Sequence, residues 1–347
     1  MTRSTPTPPP TPTPPPTPTP AATRTLDIRD LRLRLPGTAR PVLDGVDLHI
    51  AAGETVALVG ESGSGKTLTA RSVLHLLPTG AERGGEVRVA GENVLTMDLR
   101  QLRALRTGRV AMVFQDPRAA VNPVRRIGDF LTEAVRLTGA MDQAAATRRA
   151  TELLAAVGLT DAVLARHPGQ LSGGMLQRVV IAAALMGDPV LLLADEPTTA
   201  LDVTSQAEVV ALLGELQRRF GTALLFVTHD LGLAAAISDR VYVMYAGRIV
   251  ETGPAEVLFT APRHPYTHAL LAATPRPDAP GGRLAAIDGQ PPDLRRELTG
   301  CAFAERCRLA TDRCRETAPE PQAAPGRPEH LAACHHSDRL EGSAADV

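Results

Sequence analysis

The sequence holds no tryptophan, three tyrosines and six phenylalanines in 347 residues, so aromatic packing cannot carry its core. It holds one lysine, Lys66; Lys and Arg total 37, so the other 36 basic residues are arginine. Neither charge is in excess: 38 Asp and Glu leave a formal net charge of -1, which argues against a nucleic-acid binder with a basic face. The longest uninterrupted apolar run, Val179 to Met186, is far below the roughly 18 residues of a membrane-spanning helix. After Arg3 comes a proline tract rather than an apolar segment, so no secretory leader is expected and the chain is expected to stay in the cytosol. There the four cysteines read as thiols or metal ligands, not disulfides.

What is present is 44% hydrophobic residues, chiefly Val, Leu, Ile and Ala, the composition of helices packed on a parallel sheet. The expected class is α/β, with Rossmann-like or P-loop layering. At about 150 residues per domain the length allows one large domain with an appendage, or two domains. Residues 2–20 carry ten prolines alternating with threonine, and residues 1–24 read as a disordered tail.

Order is expected from Thr25, with a strand through Leu26, Ile28, Leu31 and Leu33, and a second at Val46 to Ile50. Thr55 to Val59 is an apolar strand running into a glycine-rich loop and then a helix. From about 97 to 178 the pattern predicts an inserted helical lobe, one helix being stopped by Gly158. Short apolar strands return at Val190–Ala194 and Ala223–Val227. Between them Val209, Leu212, Leu213, Leu216 and Phe220 form one helical stripe, which is core packing. Past residue 260 the chain turns Pro-rich and carries all four cysteines. We expect a nucleotide domain over 25–260, a separate extension over 261–338 and a flexible tail over 339–347.

Gly60-Glu-Ser-Gly-Ser-Gly65-Lys66-Thr67 satisfies the phosphate-loop pattern between a buried strand and a helix. Gly60, Ser62, Gly63 and Gly65 let backbone N–H groups converge on phosphates. Lys66 reaches the β/γ-phosphates, and the Thr67 hydroxyl binds Mg²⁺. Strand 190–194 ends in Asp195-Glu196, two carboxylates at the carboxyl edge of the sheet, where α/β folds bind ligands. Asp195 is the expected Mg²⁺ partner and Glu196 the expected general base for attack on the γ-phosphate.

Leu171-Ser172-Gly173-Gly174 lies 23 residues before Asp195 when counted from Ser172. A phosphate loop, this sequence and the Asp-Glu strand together resemble the ATP-binding subunits of ABC transporters, over about residues 26–338. The resemblance implies that Ser172, Gly173 and Gly174 face ATP held by a second subunit. It implies that Gln115 senses Mg²⁺ and the lytic water at the contact with membrane subunits. It further implies that Asp202 crosses to the opposite site and that His229 contacts the γ-phosphate. The family often stacks adenine on an aromatic residue ahead of the phosphate loop. None precedes Phe114 here, so Leu35 or a neighbour is expected to substitute by apolar contact, lowering affinity by about 1 kcal/mol.

Phe114-Gln115-Asp116-Pro117, Asn122-Pro123, Met244-Tyr245-Ala246-Gly247 and His264-Pro265-Tyr266-Thr267 resemble the dipeptide/oligopeptide/nickel importer ATPases. That group implies a peripheral subunit on the cytoplasmic membrane face. Its partners would be a second, non-identical ATPase, two membrane permease subunits and an extracytoplasmic solute-binding protein. Cys301, Cys307, Cys314 and Cys334 lack the C-x-x-C pairs of common zinc sites. The resemblance implies a [4Fe–4S] cluster on them, with His335 and His336 as reserve ligands, the alternative being four reduced thiols. Two other readings are a soluble ABC ATPase outside transport and a redox-responsive regulator using the cysteine region.

Overall fold

The computed structural model describes residues 24–199, 201–274 and 287–340. The Thr/Pro tail, Pro275, Pro277 and Pro280, and residues 341–347 of the C-terminal tail lie outside the described residues.

Among the described residues twelve strands build two sheets: β1 Arg24–Arg34, β2 Leu43–Ala51, β3 Thr55–Val59, β4 Glu82–Val89, β5 Glu92–Asn93, β6 Val110–Val113, β7 Leu191–Asp195, β8 Ala223–Thr228, β9 Arg240–Tyr245, β10 Arg248–Pro254, β11 Gln322–Ala324 and β12 Arg327–Ala332. The smaller sheet is antiparallel, in the order β2-β1-β4-β5. The larger runs β11-β12-β10-β9-β3-β8-β7-β6. Its five strands β9, β3, β8, β7 and β6 are parallel, and β10, β12 and β11 extend it antiparallel. Every residue of β3, β7 and β8 is buried. That explains their unbroken apolar sequences, since parallel strands covered on both faces leave no position for a polar alternation.

One core lies between the two sheets, around Leu26, Leu31, Leu48, Leu58 and Val73. A second joins the helices Ile127–Leu137, Gln143–Ala156 and Gly173–Ala184 through Leu131, Val135, Leu153 and Val180. Gly158, at φ +74°, sits just past the second of these helices, as the sequence predicts. The stretch expected to be helical is interrupted, however, by β6. Val110 to Val113 pair with Leu191 to Ala194 of β7. Four residues are too few to show a period, and a partner some 80 positions away determines their conformation.

The expected separate extension is joined to the main sheet. β12 pairs with β10 through Glu251↔Ala332 and Thr252↔Leu331. The Glu251 carboxylate, 1% exposed, accepts the N–H groups of Arg263 at 2.7 Å and His264 at 3.0 Å, and its partner at 2.7 Å is His330 Nε2. A third core holds Tyr245, Tyr266 and Phe303, with ring centroids 4.6 to 5.4 Å apart. A third of the nine aromatic residues thus gather where the extension meets the loop after β3.

Candidate active site

The loop after β3 folds tightly because glycine permits it. Gly60 has φ +151°, and a Cβ there would lie 2.2 Å from the Met244 carbonyl oxygen. Gly65 has φ +112°, and a Cβ there would lie 2.7 Å from Leu43. The helix Lys66–Val73 then opens with no side-chain cap and no acidic residue in its first turn. Its partial positive charge is therefore left for a ligand. The Ser64 hydroxyl is buried and has no hydrogen-bond partner among the described residues, as suits a donor available to an anionic ligand.

Lys66 is 4% exposed and donates from Nζ to the carbonyls of Gly60 at 2.7 Å and Glu61 at 3.0 Å. Burial pulls its pKa down, against the opposing pull of Glu196, Asp195 and Glu61. Across the loop, the Thr67 hydroxyl donates to Asp195 Oδ1 at 2.9 Å. Asp195 is buried at the end of β7, and desolvation pushes its carboxyl up. Glu196 follows in the left-handed region at φ +47°, a conformation that costs a non-glycine residue about 1 kcal/mol or more. Its N–H donates to the Val227 carbonyl at 2.9 Å, so a neighbouring strand enforces the turn. Its carboxylate accepts from Gln115 Nε2 at 3.3 Å and Thr199 Oγ1 at 3.0 Å, and lies 3.4 Å from His229 Nδ1.

Ser62, Gly63, Gly65, Lys66, Thr67, Gln115 and Glu196 line one cavity of about 530 Å³, within the usual span of small-molecule sites. Asp195 joins it through Thr67, and His229 through Glu196. Ser172, Gly173, Gly174 and Asp202 do not line it. Ser172 instead caps the helix Gly173–Ala184, accepting from Met175 N at 3.3 Å. Exposed Asp202 caps the helix Val203–Phe220, and the Ser205 N–H it accepts holds its carboxyl below the usual range.

Sequence reasoning missed several lining and supporting residues. Leu35, which it did single out, shares the cavity with Arg40, Val42, Tyr245, Pro291, Pro292 and Leu294. Glu61, an unspecified position of the loop motif, is tied twice to the extension. Its carboxylate takes two bonds from the Arg306 guanidinium at 2.7 and 2.9 Å, and its N–H donates to the Tyr266 hydroxyl at 2.7 Å. A partner 245 positions away leaves no local signal. The glutamate beside Arg306 also raises the arginine's pKa.

The oxygen donors Thr67, Asp195 and Gln115 suit a hard cation that keeps waters and substrate phosphates in its shell, as Mg²⁺ does. The cysteine region gives no comparable support to an iron–sulfur cluster. Among the described residues no group of three or more His, Cys, Asp or Glu could hold a metal ion. Cys301, Cys307, Cys314 and Cys334 are free thiols, and burial pushes Cys334 up to about 11. His335 and His336 bond to the Thr317 carbonyl and the Thr311 hydroxyl instead.

Residues 43–199 match the family model described as ABC transporter, and residues 250–314 the one described as oligopeptide/dipeptide transporter, C-terminal region. A probable peptide ABC transporter ATP-binding protein of Sinorhizobium fredii is 46% identical over 91% of this chain and 96% of its own. The oligopeptide transport ATP-binding protein OppD of Salmonella typhimurium is 43% identical, covering 89% of this chain and 92% of its own. Among solved structures, a dimeric ATP-binding cassette in a post-hydrolysis state with ADP and Pi aligns with TM-score 0.59 and 28% identity. That alignment covers 66% of this chain and 98% of the other.

Proposed function

This chain belongs to the ABC transporter ATPase family, in the branch with the oligopeptide/dipeptide C-terminal region, and from that premise we propose that it powers uptake of di- or oligopeptides. It binds and hydrolyses ATP. The observation that carries the reading is the convergence of Lys66, Thr67, Gln115 and Glu196 on one cavity, with Asp195 and His229 directly behind them. Peptides are preferred to nickel because the relatives at 43–46% identity are named for peptide transport. The soluble ATPase and redox-regulator readings find no support.

In the proposed mechanism, ATP enters phosphate-first and Lys66 exchanges its two carbonyl partners for β/γ-phosphate oxygens. Thr67, Asp195 and Gln115 would hold Mg²⁺, whose charge would offset that of the phosphates. Glu196, fixed by Thr199, Gln115 and the strained turn, orients a water and accepts its proton as the water oxygen bonds to the γ-phosphorus and ADP leaves. His229 steadies the γ-phosphate. Ser172, Gly173, Gly174 and Asp202, all outside this chain's own cavity, serve the site of a second, non-identical ATPase subunit.

The pair docks on the cytoplasmic face of two permease subunits, which receive solute from a binding protein outside. An apolar groove of about 350 Å³ next to Gln115, with Leu76 and Phe114 half-exposed on its wall, is the proposed permease seat. Among the described residues no helix is long and apolar enough to cross a membrane. Glu196→Gln should lower ATP turnover about 10²–10³-fold and leave an ATP-dependent dimer that persists in gel filtration. Turnover at the parent rate would remove Glu196 from the role of base.

A further inference from the structure

The cavity that receives the phosphates extends onto a second set of walls drawn from distant parts of the chain. Leu35 and Val42 flank the turn between β1 and β2, and Pro291, Pro292 and Leu294 come from the extension. This wall is built, because three independent contacts fasten the two segments. The N–H groups of Ala39 and Arg40 donate to the Leu294 carbonyl at 3.0 and 3.3 Å. The Arg40 guanidinium, 8% exposed at the residue level, donates to the carbonyls of Pro292 at 2.7 Å, Asp293 at 3.3 Å and Ala246 at 3.1 Å. Leu294 and Leu35 both pack on the core between the sheets. The positive charge of Arg40 is therefore occupied by backbone carbonyls, and the surface presented to a ligand is apolar: one valine, two leucines and two prolines.

We propose that this surface is the nucleobase subsite, and that segment 291–294 of the extension, held by Arg40, takes the place of the aromatic residue this chain lacks ahead of its phosphate loop. The ligand is the planar purine of ATP, whose faces are apolar and whose triphosphate occupies the Gly60–Thr67 end of the same cavity. Leu35 alone offers one side chain. With Leu294 and the two proline rings, the base is enclosed from two strands of chain that the sequence separates by more than 250 positions. Arg40 is a positioning residue: it touches the 292–293 backbone and not the base. The inference rests on the nucleotide reading of the phosphate loop, and the test separates the two.

The experiment uses the full chain and two probes with Mg²⁺, a fluorescent N-methylanthraniloyl ATP displaced by ATP, and inorganic tripolyphosphate, which has no base. Leu294→Ala should weaken ATP about tenfold and leave tripolyphosphate affinity within twofold. Arg40→Ala should give the same split, since releasing segment 292–293 removes the wall without touching the phosphate loop. Leu294 is half-buried in a surface segment, and tripolyphosphate binding reports that the loop is intact in either variant. Unchanged ATP affinity in both variants would overturn the subsite. Equal loss of ATP and tripolyphosphate would also overturn it, by showing that the residues support the whole site and not the base. Failure of the parent chain to bind either probe would defeat the nucleotide reading itself, and the subsite with it.

Discussion

The phosphate loop and the C-terminal extension meet at Glu61, yet they are built on opposite terms. The loop and the end of β7 beside it keep their polar groups short of partners or in strained geometry: an unbonded Ser64 hydroxyl, an uncapped helix end, Lys66 parked on two carbonyls, and Glu196 at positive φ. The extension pairs the charges it buries, with Glu251 accepting three bonds and Arg306 donating to Glu61, Tyr245 and two carbonyls, while among the described residues the Thr267 hydroxyl and His330 Nδ1 have no hydrogen-bond partner. A binding site holds interactions in reserve for its ligand, whereas a brace spends them within the protein. Changes at the loop should thus alter turnover with little effect on stability, and changes in the extension away from the 291–294 wall should act first on stability.

The largest effect should come from Lys66→Arg. A planar guanidinium does not fit where a compact ammonium enters the phosphate cradle, so hydrolysis should fall about 10³-fold while the melting temperature moves little. Near-normal turnover would break the comparison on the side of the loop.

Arg306→Ala sharpens it, because this arginine, with a side chain 4% exposed, belongs to the brace and reaches the loop. Its loss leaves the Glu61 carboxylate without its bidentate partner and should cost about 3 kcal/mol in urea unfolding. It should also raise KM for ATP by loosening the second residue of the motif. A stability loss with unchanged KM would confine the extension to bracing.

The smallest effect is a pH dependence inside the brace. Burial outweighs the nearby Glu251 and pulls His264 down from 6.5 to about 4, while its Nδ1 accepts the Tyr266 N–H. The unfolded chain takes up a proton near 6.5 and the folded one only near 4. This contribution to stability is therefore complete above pH 6.5 and is lost as pH falls toward 4, at most about 3 kcal/mol. His264→Asn keeps an acceptor for the Tyr266 N–H and removes the titration. The variant should lose less stability than the parent between pH 7 and 5, and parallel curves for both would show that His264 does not titrate this way.

What the sequence made legible follows the same division. The loop, Asp195, Glu196 and the Ser172–Gly174 cap were readable because each lies in a short contiguous pattern whose backbone demands particular residues. The all-buried strands β3, β7 and β8 were readable as apolar runs. β6 was not, since four residues inherit their conformation from β7. β12 was not, since its sequence Arg-Pro-Glu-His-Leu-Ala is half exposed and carries no apolar alternation to mark a strand. Arg40, Leu294 and Arg306 act through partners hundreds of positions away, and only folding brings those contacts together.

Glu251 has a consequence for how such subunits diversify. One carboxylate binds the start of the helix Pro265–Ala272 and, through His330, the last strand of the sheet, from inside the protein. Exchanging the extension between related cassettes is therefore a transplant of core, and a hybrid would inherit a mismatched interior unless strand β10 travelled with it. The tail end of this chain evolves under the packing constraints of its centre.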